Sequence, residues 1–191
     1  YDDMKKLGCD LALALNKEVK ALADAGCQYI QIDEPVFARK PDEANAYGME
    51  NLERMMHGIP KEVQRVCHIC CGYPNSLDSH GYKKAELDAY DRIATLVDDS
   101  TIDEVSLEDS HRHNDLNLLE KFTKTKVIFG FIDIAKSRME TVEEVRVRMK
   151  DSLEHIDEHR LIAAPDCGLG FFTREQAIEK MTILTKAAKS I

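Results

Sequence analysis

Apolar residues recur at helical spacing at Leu11, Leu15, Val19 and Leu22, and Gly26 follows where a left-handed C-terminal cap would sit. That predicts an opening helix. Tyr29 to Ile32 predicts a short strand, which ends at Asp33-Glu34-Pro35 because proline cannot donate to a ladder and restricts the residue before it. The alternation then repeats. A strand from Val66 to Cys70 leads through a turn at Gly72 to Asn75 into a helix from about Lys83 to Val97. A strand at Glu104 to Leu107 precedes a helix near Asp115 to Phe122. A strand at Val127 to Ile132 precedes a capping box at Thr141 to Glu144, which opens a helix with Val142, Val145, Met149, Leu153 and Ile156 on one face. Finally, Leu161 to Ala164 predicts a strand, and Thr173 to Gln176 caps a helix with Ala177, Met181, Leu184 and Ala188 inward. The stretch from Ala38 to Pro60 reads as a polar, surface-exposed connection with a short helix near Glu50 to Met56.

About five strand–helix units result, and alternation of this kind predicts a parallel sheet, because parallel neighbours need a crossover that is usually a helix. A doubly wound sheet would bring a glycine-rich phosphate loop after an early strand, and neither G-x-G-x-x-G nor G-x-x-x-x-G-K occurs here. The expected architecture is therefore α/β, a (β/α)8 barrel lacking about three of its eight units. Residues 1–191 read as the C-terminal portion of one barrel domain, with an N-terminal barrel segment missing.

Each predicted strand ends in reactive polar residues: Asp33 and Glu34, His68 and Cys70, Glu108, Asp133, then Asp166 and Cys167. In a parallel barrel these ends gather on one rim, where barrel enzymes place their active sites. His68 and Cys70 lie two apart on a strand, so both side chains point the same way, as two ligands of one ion must. Glu108 and Cys167, from later strand ends, complete a mixed nitrogen, sulfur and oxygen set of the kind that binds Zn2+ tetrahedrally. Against this stand a hydrogen-bonded core histidine for His68, and a redox pair for Cys67 and Cys70, whose two side chains fall on opposite faces of a strand. Cys71 is a possible substitute ligand. His111 and His113 are either neighbours of the ligands or solvated loop residues, and Asp133 is either a general acid or a helix-entry residue.

Composition narrows the partners. The chain of 191 residues carries a formal net charge of -9, which disfavours nucleic acid and anionic membranes, since both attract basic surfaces. No apolar stretch approaches the roughly 20 residues of a membrane span. Six cysteines without a secretion signal fit a reducing, cytoplasmic compartment. A small-molecule substrate is expected.

The ordered motifs Ile30 to Pro35, His68-Ile-Cys70, Val105 to Glu108, Gly130 to Asp133 and Pro165 to Gly168 resemble the catalytic domain of cobalamin-independent methionine synthase nearly end to end. The resemblance implies a (β/α)8 barrel and a zinc-dependent methyltransferase that moves a methyl group from 5-methyltetrahydrofolate to the thiol of homocysteine. It also implies that His68, Cys70, Glu108 and Cys167 hold the zinc and that Asp33 contacts the homocysteine amino group, with Glu34 beside it as a substrate-binding residue. Asp133 is the candidate for protonating the leaving nitrogen. Arg39 stands where that family commonly has a Glu associated with the folate, and Ala135 where it has a His thought to donate a proton. Other donors and thiols, such as an epoxide with coenzyme M, and a non-catalytic fragment with structural zinc, are the alternatives.

Overall fold

Five strands define the molecule: β1 (Tyr29–Glu34), β2 (Gln64–Ile69), β3 (Glu104–Leu107), β4 (Lys126–Ile132) and β5 (Leu161–Pro165). Each pairs in parallel with the next, so the sheet runs β1-β2-β3-β4-β5 in chain order. The computed structural model describes residues 1–79 and 81–191. His80, to which the sequence assigns no role, lies outside the described residues. Helices α1 (Met4–Asp24), α2 (Pro41–Glu43), α3 (Met49–Met56), α4 (Ala94–Asp98), α5 (Asn117–Glu120), α6 (Val142–Leu153) and α7 (Arg174–Ala188) fill the connections. Parallel strands in sequential order joined by helical crossovers make an arc of a (β/α)8 barrel, as expected.

Burial follows position in the arc. Every residue of the central β3 is buried, and so are the last four of β2 and of β4. The outer strands are more open, with Tyr29 of β1 66 % exposed. Phe129 and Phe131 of β4 meet edge to face, 5.5 Å between ring centroids. The capping boxes at Thr141 and Thr173 form as predicted, each hydroxyl accepting from the third helical N–H while Glu144 or Gln176 reaches back.

Five expectations fail in whole or in part, each because tertiary contacts outweigh local pattern. The helix predicted from Lys83 to Val97 exists only as its last turn, α4. Before it the chain is tied to the sheet: the Ala85 N–H donates to the Cys71 carbonyl, and Tyr90 is buried with its hydroxyl donating to the Ile69 carbonyl. The helix predicted near Asp115 to Phe122 shrinks to the four residues of α5. The stretch from Ala38 to Pro60 is core rather than surface, since Ala38, Ala44, Met49, Leu52, Met55, Met56 and Ile59 are all buried. Lastly, α1 packs through Ala12, Asn16 and Val19, with the Asn16 amide donating to the Met55 and His57 carbonyls, so Leu11, Leu15 and Leu22 are exposed. In α7, Leu184 is buried and Met181 packs partly buried against the core, as expected, but Ala188 is exposed and Ala187 and Lys180 are buried instead.

Asp98, at the end of α4, closes the connection to β4. Its carboxylate accepts from the Thr123 N–H and hydroxyl and from the Lys124 and Thr125 N–H groups, at 2.7 to 3.2 Å. Burial pushes its pKa up, but these hydrogen bonds outweigh that and hold it well below the carboxylate range. A depressed folded pKa means stability fully present above the unfolded value near 3.9, which begins to be lost as pH falls below that value and is gone only once pH falls through the folded pKa. Asp98→Ala is therefore expected to destabilise by about 3 kcal/mol at neutral pH, because it strands the buried Thr125 N–H and removes three further hydrogen bonds. The gap to the parent protein should narrow below about pH 4; urea unfolding at pH 7 and pH 3 measures both.

Candidate metal centre

Strand register brings the ligand set together. Asp33, His68 and Ser106 are neighbours across β1, β2 and β3, and the Ser106 hydroxyl lies 2.9 Å from His68 Nδ1. With Nδ1 so engaged, the ring turns its Nε2 inward, where it is buried and meets no hydrogen-bond partner. A buried ring nitrogen without a partner is costly unless something coordinates it. Nearby, the ligand atoms of His68, Cys70, Glu108 and Cys167 all lie within 4.8 Å of one another. One nitrogen, two sulfurs and one carboxylate oxygen at that spacing suit a tetrahedral zinc-type ion.

Glu108 is the most closely held of the four. Its N–H donates to the Tyr90 hydroxyl, and its Oε1 accepts from the Cys71 N–H at 2.9 Å. Oε2 lies 3.2 Å from His111 Nδ1, with Glu108 only 3 % exposed. Behind it stands Asp166, fully buried, which accepts from the Asp109, Ser110 and His111 N–H groups and from the His111 ring. Asp109 in turn forms a two-bond pair with Arg148 of α6, at 2.8 Å each. The turn carrying Cys167 is pinned from above: the Tyr73 hydroxyl donates to the Gly168 carbonyl at 2.9 Å, and Tyr73 stacks on Phe171.

The electrostatics read as a site whose counter-charge is a cation. Burial and the neighbouring Cys70 push Glu108 up to about 8, far above the usual carboxylate range. The neighbouring Cys167 and then burial raise the Cys70 thiol to about 12, while proximity to Cys70 lowers the Cys167 thiol against its own burial. For His68, burial favours the neutral ring, yet Cys70 and Glu108 raise its pKa overall. Burial acts the same way on His111, and Asp166 overrides it to give about 9. Three acidic groups around one histidine repel each other, and a dipositive ion relieves that repulsion.

The other expected residues are placed differently. Asp33 is exposed at the rim, held by the Gln31 amide at 2.8 Å. Glu34 is turned away: its Oε1 accepts from the Val36 N–H and closes the turn after β1. Asp133 stands at the end of β4, outside the four-residue cluster, with its Oδ1 accepting from the Ala135 N–H and its own N–H donating to Glu140. Glu140 is paired with the fully buried Lys180 at 2.9 Å, so α7 holds the Asp133 backbone in place. Cys67 is buried on the opposite side of β2 and its thiol is pushed up by burial, which removes the redox pair with Cys70. His113 is exposed, while His111 belongs to the network. Tyr90 and Ser106 escaped sequence reasoning because neither ends a strand; only register and a long loop bring them to the ligands.

The profile of the cobalamin-independent synthase catalytic domain matches residues 2–190. The methionine synthase of Thermococcus kodakarensis is 32 % identical over the whole chain, and that of Pyrococcus abyssi 31 %. The chain spans about half the length of these relatives, 52 % and 51 %. The structure of a B12-independent methionine synthase from a Shewanella species, in complex with selenomethionine, superposes with a TM-score of 0.87 at 32 % identity, covering all of this chain and 56 % of that one. A methyltransferase from Methanosarcina mazei shares the fold alone, with a TM-score of 0.64 at 17 % identity. With a matching profile from end to end, the chain belongs to the cobalamin-independent synthase catalytic-domain family.

Proposed function

We propose that this chain supplies the metal-binding part of a zinc-dependent methyltransferase that methylates the thiol of homocysteine, with 5-methyltetrahydrofolate or a related molecule as donor. The observation that carries this reading is the convergence of His68, Cys70, Glu108 and Cys167 around the buried, unpartnered His68 Nε2. A bound zinc would supply the positive charge that deprotonates a substrate thiol, which by itself is only a few per cent thiolate at neutral pH. Ser106 orients the His68 ring, and Tyr90 with the Cys71 N–H orients Glu108, so neither ligand must reorganise when the thiol arrives. Exposed Asp33, whose Oδ1 accepts from the Gln31 amide, offers its second oxygen to the amino acid's ammonium. Cys70 and Cys167 are only half buried, which leaves an approach to the metal position and argues against a closed structural site.

The donor side rests on fewer groups. Ala135 is buried and has no proton to give, and the Arg39 guanidinium is spent on the Pro35 carbonyl. Asp133 is the proton donor proposed for the leaving nitrogen, directly or through water. The test is the full-length protein assayed with homocysteine against methyltetrahydrofolate, methylcobalamin and an epoxide. Methionine should form, with kcat reduced by about 100-fold in Asp133→Asn. Methylfolate turnover at parental rates in that variant would remove Asp133 from the reaction.

A further inference from the structure

Among the described residues, two histidines have a side-chain partner at Nδ1 and a buried Nε2 with none. His68 is one, and it belongs to the metal centre. His111 is the other. Its side chain is 4 % exposed, and Nδ1 lies 2.9 Å from an Asp166 oxygen, the carboxylate–imidazole arrangement that orients metal-ligating histidines. Asp166 thus engages Nδ1 and leaves the buried, unpartnered Nε2 as the nitrogen a cation would bind on displacing its proton. Beside it lie a second sulfur and a carboxylate: Cys71 is 2 % exposed, and the ligand atoms of Cys71, Glu108 and His111 all lie within 4.8 Å of one another.

We propose that Cys71, Glu108 and His111 form a second metal station, sharing Glu108 with the first, which takes a thiophilic divalent cation of the zinc or cadmium class. The donors are again nitrogen, sulfur and oxygen, the set that selects such ions over magnesium or calcium. Three protein ligands leave a fourth position open. Glu108 belongs to both ligand clusters, so one carboxylate can serve both sides. This station is the weaker of the two. It has one ligand fewer, and an Arg112 nitrogen 3.5 Å from Cys71 Sγ competes for the thiolate.

The inference rests on the proposed zinc centre only through Glu108, and the experiment separates the two. Metal-free, full-length protein is titrated with cadmium, following thiolate-to-cadmium ultraviolet absorption and bound metal by equilibrium dialysis. Two equivalents are expected, the second at least about 10-fold weaker. Cys71→Ser and His111→Gln should each abolish the second and retain the first; should His111→Gln fold poorly by circular dichroism, Cys71→Ser alone decides. A single equivalent in the parent protein, or a second that survives Cys71→Ser, overturns the station. A first equivalent untouched by Cys167→Ser would instead defeat the four-residue centre, leaving the second station to be judged on Cys71→Ser.

Discussion

Replacing Cys167 by Ser in the full-length protein is expected to lower zinc affinity by more than about 100-fold and to abolish thiol methylation at ordinary metal concentrations. Loss of a mere supporting partner of a metal ligand costs about 10- to 100-fold, and loss of the ligand itself should exceed that. The reason the effect should fall on Cys167 in particular is its thiol chemistry. Cys167 brings one of the two sulfurs of the cluster, and its thiol is lowered by the neighbouring Cys70. A serine hydroxyl is a poor substitute, being neither soft nor ionised at neutral pH. Cys71 is held elsewhere, beside Arg112 and below the loop of His111, and cannot move into the vacated corner without breaking the Cys71 N–H bond to Glu108. Metal analysis after dialysis against a chelator measures the change. Zinc retained at parental stoichiometry and affinity would remove Cys167 from the centre.

Gly130→Ala is expected to destabilise the protein by about 3 kcal/mol and to disable the site, although residue 130 touches no ligand. A methyl added there would stand 2.0 Å from Asp166 Oδ1 and 2.8 Å from Asp166 Cα. The side chain has no room to yield, because Asp166 is fully buried and receives four hydrogen bonds from the loop of residues 109–111. Nor can the backbone retreat: the Asp166 N–H donates to the Ile132 carbonyl, just past the irregularity where β4 and β5 shift register. Relief therefore requires separating β4 from β5 or expelling Asp166, and either releases His111 and with it Glu108. Urea unfolding and zinc affinity read the two consequences together. Unchanged metal binding in a folded Gly130→Ala protein would show that Asp166 does not position the centre.

Much of this protein was legible before any coordinates. Alternating strands and helices sufficed for a parallel sheet, because an apolar run bounded by turn residues and followed by a 3.6-residue period has few other packings. All five strands fall where the pattern puts them, Glu104 to Leu107 to the residue. The capping boxes were equally legible, since a hydroxyl and a Glu or Gln three residues apart close on themselves locally. The four proposed ligands were found because two of them share a strand face and the others end later strands that a barrel gathers on one rim.

What failed was whatever depended on which surface a segment meets. Leu11, Leu15 and Leu22 mark a helical stripe, yet the buried side of α1 is the one carrying Asn16, because α3 offers carbonyls to its amide. Residues before α4 carry a helical pattern and are pulled out of it by Tyr90, whose hydroxyl serves the sheet and Glu108 at once. Sequence by itself determined the period of each element, its caps and the order of chemically reactive strand ends, all set by interactions within a few residues. Tertiary structure alone decided that His68 rests on Ser106, that Glu108 is oriented by Tyr90 and Cys71, and that Asp166 holds His111. Those partners are separated by 18 to 55 residues along the chain, and only strand register and burial bring them within a hydrogen bond of each other.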